Sequence, residues 1–133
     1  MSVKSFVDSN IWLYTFMDQG EEKREKALEV ISKANIISTQ VINEVCTNLI
    51  RKAAYTEAEI QQTITNIKIQ YEVIPIGIVL CLDASKLRAS YSLSYWDSLI
   101  VATANDSGCE ILYSEDMQHN QLIENTRIIN PFV

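Results

Sequence analysis

The sequence predicts an α/β domain built on a parallel sheet, and three observations carry that reading. Short apolar runs of strand length alternate with longer amphipathic stretches of helical period. Only three glycines and two prolines interrupt 133 residues, so long periodic segments dominate and helix should outweigh strand. No linker, repeat or low-complexity stretch divides the chain, and its length is that of one domain, residues 1–133.

The elements follow in order. Residues 3–7 read as a short strand and residues 10–17 as a helix, which Asp18, Gln19 and Gly20 end. Residues 21–34 form an amphipathic helix with Ala27, Leu28 and Ile31 on one face, an acidic first turn and Lys33 at its end, matching the helix dipole. A strand at 35–38 leads into a helix over 40–54, where Val41, Val45, Leu49 and Ile42, Cys46, Ile50 make apolar rows. Thr56 and Glu59 are spaced as a capping box and open a helix to about Tyr71. Residues 72–76 read as a strand closed by Pro75 and Gly77. Helices at 78–90 and 95–107 and strands at 110–114 and 127–129 complete the chain. Such alternation implies βαβ units and a parallel sheet covered on both faces.

Composition narrows the function. Apolar residues make up 47% and charged residues 21%, which suits a globular domain rather than a disordered chain. The net charge of −6 excludes a protein that grips nucleic acid by bulk positive charge, but not a nuclease whose carboxylates are offset by bound cations. Cys46, Cys81 and Cys109 are odd in number, far apart and without a CxxC pair, so neither a disulfide framework nor a zinc ribbon fits. His119 is the single histidine. The start of the chain carries no secretory h-region, and the longest apolar run, 74–82, is far short of the ~20 residues of a membrane span. These features predict a reduced, cytoplasmic protein without a membrane segment.

In parallel α/β sheets ligands bind beyond the carboxyl ends of the strands, and four acids fall there. Asp8 follows the first strand; it reads equally as a helix N-cap. Glu44 lies one turn into the helix after the second strand, just outside its apolar arc, and alone reads as a solvated boundary residue. Asp97 heads the apolar stripe of Ile100, Val101 and Ala104; it must be neutralised, paired or metal-bound if buried, although Ser94 and Asp97 also resemble a capping box. Asp116 closes the strand at 110–114, with Glu115 as its competitor and a turn role as the alternative. Together they form one set of hard oxygen ligands at one sheet edge. Such ligands select Mg²⁺ or Mn²⁺, which can polarise a phosphoryl oxygen and activate water for in-line attack on a phosphodiester.

Four segments then resemble the PIN domain, and most closely its VapC-like toxin branch: VDSNI at 7–11, QVINEV at 40–45, YWDSLIVATA at 95–104 and LYSEDMQ at 112–118. The resemblance spans essentially the whole chain, and the last two segments are its most specific parts. It implies a three-layer α/β/α sandwich with a central parallel sheet. It also implies an Mg²⁺- or Mn²⁺-dependent endoribonuclease, dimeric and held inactive by an antitoxin protein. Asp8, Glu44, Asp97 and Asp116 match the family's acidic quartet, Ser114 the hydroxyl residue two before the last acid, and Asn10 the polar residue two after the first. The Ser-x-Asp spacing favours Asp116 over Glu115. One departure is Asn120, where relatives often carry Gly; Asn tolerates the left-handed backbone such a turn needs.

Setting the four acids aside takes the net charge from −6 to −2. Lys4, Arg51, Lys52, Lys86 and Arg88 are candidate phosphate contacts, although any one of them reads first as a solvated helix-face residue. The apolar rows between Gln40 and Tyr71 exceed one sheet face's needs and predict a homodimer. With His119 in a loop, cleavage should use activated water and leave a 5′-phosphate and a 3′-hydroxyl. A catalytically silent PIN module, binding RNA or protein, is the alternative, and a receiver-like or haloacid-dehalogenase-like phosphotransfer domain ranks below it because no second Asp follows two residues after Asp8.

Overall fold

The computed structural model describes residues 3–133. The first strand, β1 (Ser5–Val7), runs into α1 (Ser9–Phe16), and Gly20 precedes α2 (Glu21–Ser32). Next come β2 (Ile36–Ser38), α3 (Thr39–Ala53), α4 (Glu57–Gln70) and β3 (Glu72–Ile74). The C-terminal part holds α5 (Ile78–Ser90), α6 (Tyr95–Asp106), β4 (Ile111–Tyr113), β5 (Leu122–Ile123) and β6 (Thr126–Ile129). Sequence patterning places every element but one within a few residues of these bounds.

The caps explain why the helices begin where they do. Asp8, Ser38, Thr56 and Ser94 each accept a backbone N–H at the start of α1, α3, α4 and α6. Thr56 and Glu59 make both hydrogen bonds of the expected capping box. Gly108, at φ +76°, turns the chain out of α6 so that Cys109 N–H reaches the Ala104 carbonyl.

The strands β1, β4 and β6 are parallel, in the order β1–β4–β6, and β2 pairs in parallel with β3. β2 lies alongside β1, though the two make no continuous ladder. Register sets Phe6 beside Leu112 and Leu112 beside Ile128, and all three are fully buried. One group of helices packs α1 on α2 and α3, with α4 on α3; the other packs α5 on α6, with α6 against β4 and β6. The result is the expected three-layer α/β/α sandwich, its sheet mostly parallel.

Two sequence expectations are corrected. The sheet is not wholly parallel: β5, which patterning missed, pairs antiparallel with β6. Its turn is Glu124–Asn125, with Glu124 at φ +54°, and no glycine marks it; Asn105 Oδ1 holds it by accepting from Asn125 N and Thr126 Oγ1. Val3, placed in the first strand, is exposed and precedes it. The apolar rows of α3 are largely spent on the core, with Val41, Val45 and Leu49 at 1% exposure or less. Ile50, Ile64 and Ile69 of α3 and α4 stay exposed, as do Ile78, Val79 and Leu82 on α5.

Candidate active site

Parallel pairing carries the ends of β1 and β4 to the same edge of the sheet, and there the side chains interlock. Asp8 N–H donates to the Tyr113 carbonyl at 2.9 Å, extending the ladder one residue past both strands. The Asp8 carboxylate accepts from Ser9 N at 2.7 Å and from Ser114 Oγ at 2.9 Å. Asp8 therefore caps α1 and at the same time ties the end of β1 to Ser114. It is only 5% exposed. Burial outweighs both hydrogen bonds and, helped by the nearby charges of Glu44 and Asp97, pushes its pKa up to about 6. Ser114 Oγ also accepts from Asp116 N at 3.3 Å, so one buried hydroxyl bridges the first acid to the loop that bears the last.

Glu44 is half-buried on α3, not solvated, and burial raises its pKa. The Ser9 hydroxyl and the Gln40 amide act against that rise, and the charge of Asp97 adds to it. Asp97 stands in the first turn of α6, where a carboxylate suits the helix dipole. Its pKa is raised by burial and by Asp116, against the pull of the Ser94 hydroxyl. The repulsions form a connected set: Asp8 with Glu44 and Asp97, Glu44 with Asp97, and Asp97 with exposed Asp116. Asp97 is the one acid coupled to each of the other three. No basic side chain contributes to any of these shifts.

Glu115 belongs elsewhere. Its carboxylate accepts from Lys23 Nζ and from the Tyr14 hydroxyl, each at 2.6 Å. Lys23 also lies 5.0 Å from the centres of the Tyr14 and Phe132 rings. Although burial acts the other way, those two donors lower the pKa of Glu115.

Asn10, in the first turn of α1, has both side-chain polar atoms buried and unpartnered in the protein. An orphaned amide beside a set of carboxylates is the donor chemistry of a hydrated divalent cation, so the residues fit Mg²⁺ or Mn²⁺. The set is open as it stands. Among the described residues no three histidine, cysteine or acidic side chains are grouped to hold an ion.

The candidate phosphate contacts separate. Lys4 lies before β1, at the opposite sheet edge, and donates to the Ser107 carbonyl at 2.6 Å. Arg51 and Lys52 end α3, where they suit its dipole, and Lys86 is exposed on α5. Arg88 alone of the five reaches residues beside Asp97: it stacks 4.3 Å from the Tyr95 ring centre and donates to Ser98 Oγ at 3.4 Å. His119 Nδ1 accepts from Asn130 N at 2.9 Å, a structural role, and Asn120 adopts φ +70° as its turn requires. Sequence reasoning missed Gln40. It is buried and donates to Glu44 Oε2 at 3.5 Å and to the Trp96 carbonyl at 3.1 Å, tying α3 to α6. Its spacing of four before Glu44 is the signal that could have found it.

The PIN-domain family model matches residues 5–124, and the chain belongs to that family. A toxin–antitoxin complex from Klebsiella pneumoniae has a similar chain, at 20% identity and a TM-score of 0.72, covering 96% of this chain and 98% of that one. The sarcin–ricin-loop-cleaving toxin VapC20 of Mycobacterium tuberculosis is similar at 18% identity and a TM-score of 0.68, covering 85% and 90%. DNA-bound VapBC from Salmonella typhimurium matches at 18% identity and a TM-score of 0.67, covering 95% and 96%. A comparison with curated proteins gives no significant match.

Proposed function

We propose that this chain is a divalent-metal-dependent endoribonuclease and the toxin of a toxin–antitoxin pair, with Asp8, Glu44, Asp97 and Asp116 as its metal-binding and catalytic carboxylates. One observation carries the reading: four acids from four segments are coupled by repulsion at one sheet edge, and among the described residues no basic side chain contributes to their shifts. The similarity to the ribosomal-loop-cleaving toxin supports RNA as substrate. A bound Mg²⁺ or Mn²⁺ would polarise a phosphoryl oxygen and lower the pKa of a water.

The chain's own residues prepare that chemistry. Ser9 N and Ser114 Oγ fix both Asp8 oxygens, leaving the carboxylate no rotation to lose. Gln40 steadies Glu44 from within α3, and Ser114 sets the Asp116 loop. Asn10 offers its amide to a water or a phosphate oxygen. His119, committed to Asn130, is not poised as a general base. The products should therefore carry 5′-phosphate and 3′-hydroxyl ends.

The similar chains in antitoxin complexes support an antitoxin as protein partner. The exposed Ile78, Val79 and Leu82 of α5 support a homodimer through that helix. No helix among the described residues is long and apolar enough to cross a membrane. Light scattering should give a dimer that Val79→Glu dissociates; a wild-type monomer at every concentration contradicts it. For the activity itself, RNA incubated with protein and Mn²⁺ should be cut, with cutting abolished by excess EDTA. Cyclic 2′,3′-phosphate ends, or cutting that persists in EDTA, would overturn the reading.

A further inference from the structure

Beside Glu44 lies a cleft of about 500 Å³ between α3 and the start of α6. Trp96 borders it on one side; Gln40, Asn43 and Asn48 border it on the other. Trp96 is 61% exposed, an unusual state for the largest apolar side chain. It is nonetheless held in place. Its carbonyl accepts from Gln40 Nε2, and its ring meets Tyr95 edge-on at 5.1 Å, with Arg88 stacked on Tyr95. Gln40 supplies an independent sign of a ligand. The residue is 8% exposed, its Nε2 is used twice, and its Oε1 is buried without a partner. Because Nε2 must face the Trp96 carbonyl, the free atom is an acceptor awaiting a donor.

We propose that this cleft binds one unstacked nucleobase of single-stranded RNA, stacked on Trp96 and read at its edge by the amides of Gln40, Asn43 and Asn48. A flat aromatic face beside neutral amides suits a planar heterocycle with mixed donors and acceptors, whereas a phosphate would call for cations. Gln40 Oε1 favours a base with an exocyclic amino group: adenine, cytosine or guanine over uracil. Because Glu44 borders the same cleft, the bound base sets which nucleotide stands at the carboxylates. That positional consequence rests on the proposed nuclease activity; base binding itself does not.

Binding of 2′-O-methyl homo-oligonucleotides of A, C and U, measured in EDTA by anisotropy and tryptophan fluorescence, tests the proposal without cleavage. The A or C oligonucleotide should bind more tightly than U and quench Trp96. Trp96→Ala should weaken binding roughly tenfold or more, and Trp96→Phe should restore most of it. Asn43→Ala, at an exposed position, should narrow the difference between bases while melting like wild type. Equal binding by wild type and Trp96→Ala, or quenching that survives in Trp96→Phe with only Trp12 left, overturns the base site. So does a Trp96→Ala protein that keeps its RNA binding but loses a protein partner. Base-selective binding in a protein that cuts no RNA with Mn²⁺ supports the base site and sinks the nuclease reading alone. Cleavage whose base preference is unchanged in Trp96→Ala does the reverse.

Discussion

Glu115 and Asp116 are adjacent in the chain and end in opposite electrostatic company. Glu115 turns to Lys23 and Tyr14, gains two short hydrogen bonds and has its pKa lowered despite burial. Asp116 turns the other way, is tied to Ser114 through its backbone and adds its charge to Asp97. Similar carboxylates thus make a structural clasp on one side and part of an unrelieved anionic edge on the other. The difference lies in who supplies the counter-charge. Where the chain brings its own cation, the acid holds α2 to the loop after β4. Where it brings none, the acid is kept at a cost in stability, and a ligand from outside is the physical reason to keep it.

Breaking the edge should have the largest effect. Asp97→Asn removes the one acid that is coupled to each of the other three and should reduce RNA cleavage on the order of a thousandfold or more, measured by end-labelled product. Asp8→Ala should do the same. Glu115→Gln should keep most of the activity, since its partners lie in the clasp; a loss as deep as that of Asp97→Asn would erase the distinction drawn here.

Stability should respond to pH with opposite signs in the two regions. Asp8 titrates near pH 6 when folded and near 3.8 when unfolded, so the folded protein binds more protons between these values. Its penalty is absent below about pH 4 and complete above about pH 6, where it reaches on the order of 3 kcal/mol. Metal-free Asp8→Asn should therefore melt roughly 5 °C or more above wild type at pH 7.5, with the gap closing toward pH 4. Glu115, with its pKa lowered, contributes stability that is present above its unfolded value of 4.5 and lost as pH falls through the folded one. Glu115→Gln should thus melt slightly below wild type at neutral pH, by no more than about 3 °C for so exposed a pair, and match it in acid. Thermal melts from pH 3.5 to 7.5 read both. The smallest effect belongs to His119→Ala, which loses one exposed hydrogen bond to Asn130 and should leave cleavage nearly unchanged.

Much of this comparison was legible before any coordinates. Apolar periodicity located eleven of the twelve elements among the described residues because most strands are short apolar runs and most helices carry a side-chain cap or an apolar stripe. The exception, β5, hides because its turn uses Glu124 at positive φ in place of glycine and is stabilised from afar by Asn105. The acids at the strand ends could be singled out because a parallel sheet sends its strand ends to one edge. The Ser-x-Asp spacing favours Asp116, but what holds Glu115 away could not be read from spacing, since it depends on Lys23, 92 residues earlier in the chain. Lys4 failed as a phosphate contact for the same reason: its partner is the end of α6, at the far edge. Gln40 went unseen because one buried amide in an apolar helix looks like tolerated polarity until its partners on α6 are known.

The central claim is that the edge of Asp8, Glu44, Asp97 and Asp116 holds a divalent cation and the Glu115 clasp does not. Thermal unfolding at pH 7.5 with increasing Mn²⁺, for wild type, Asp97→Asn and Glu115→Gln, tests it directly. A ligand at 100 times its Kd stabilises by about 2.7 kcal/mol, so the Tm of wild type and of Glu115→Gln should climb together by several degrees while that of Asp97→Asn stays flat. An equal rise in Asp97→Asn, or no rise in any of the three, would contradict the account.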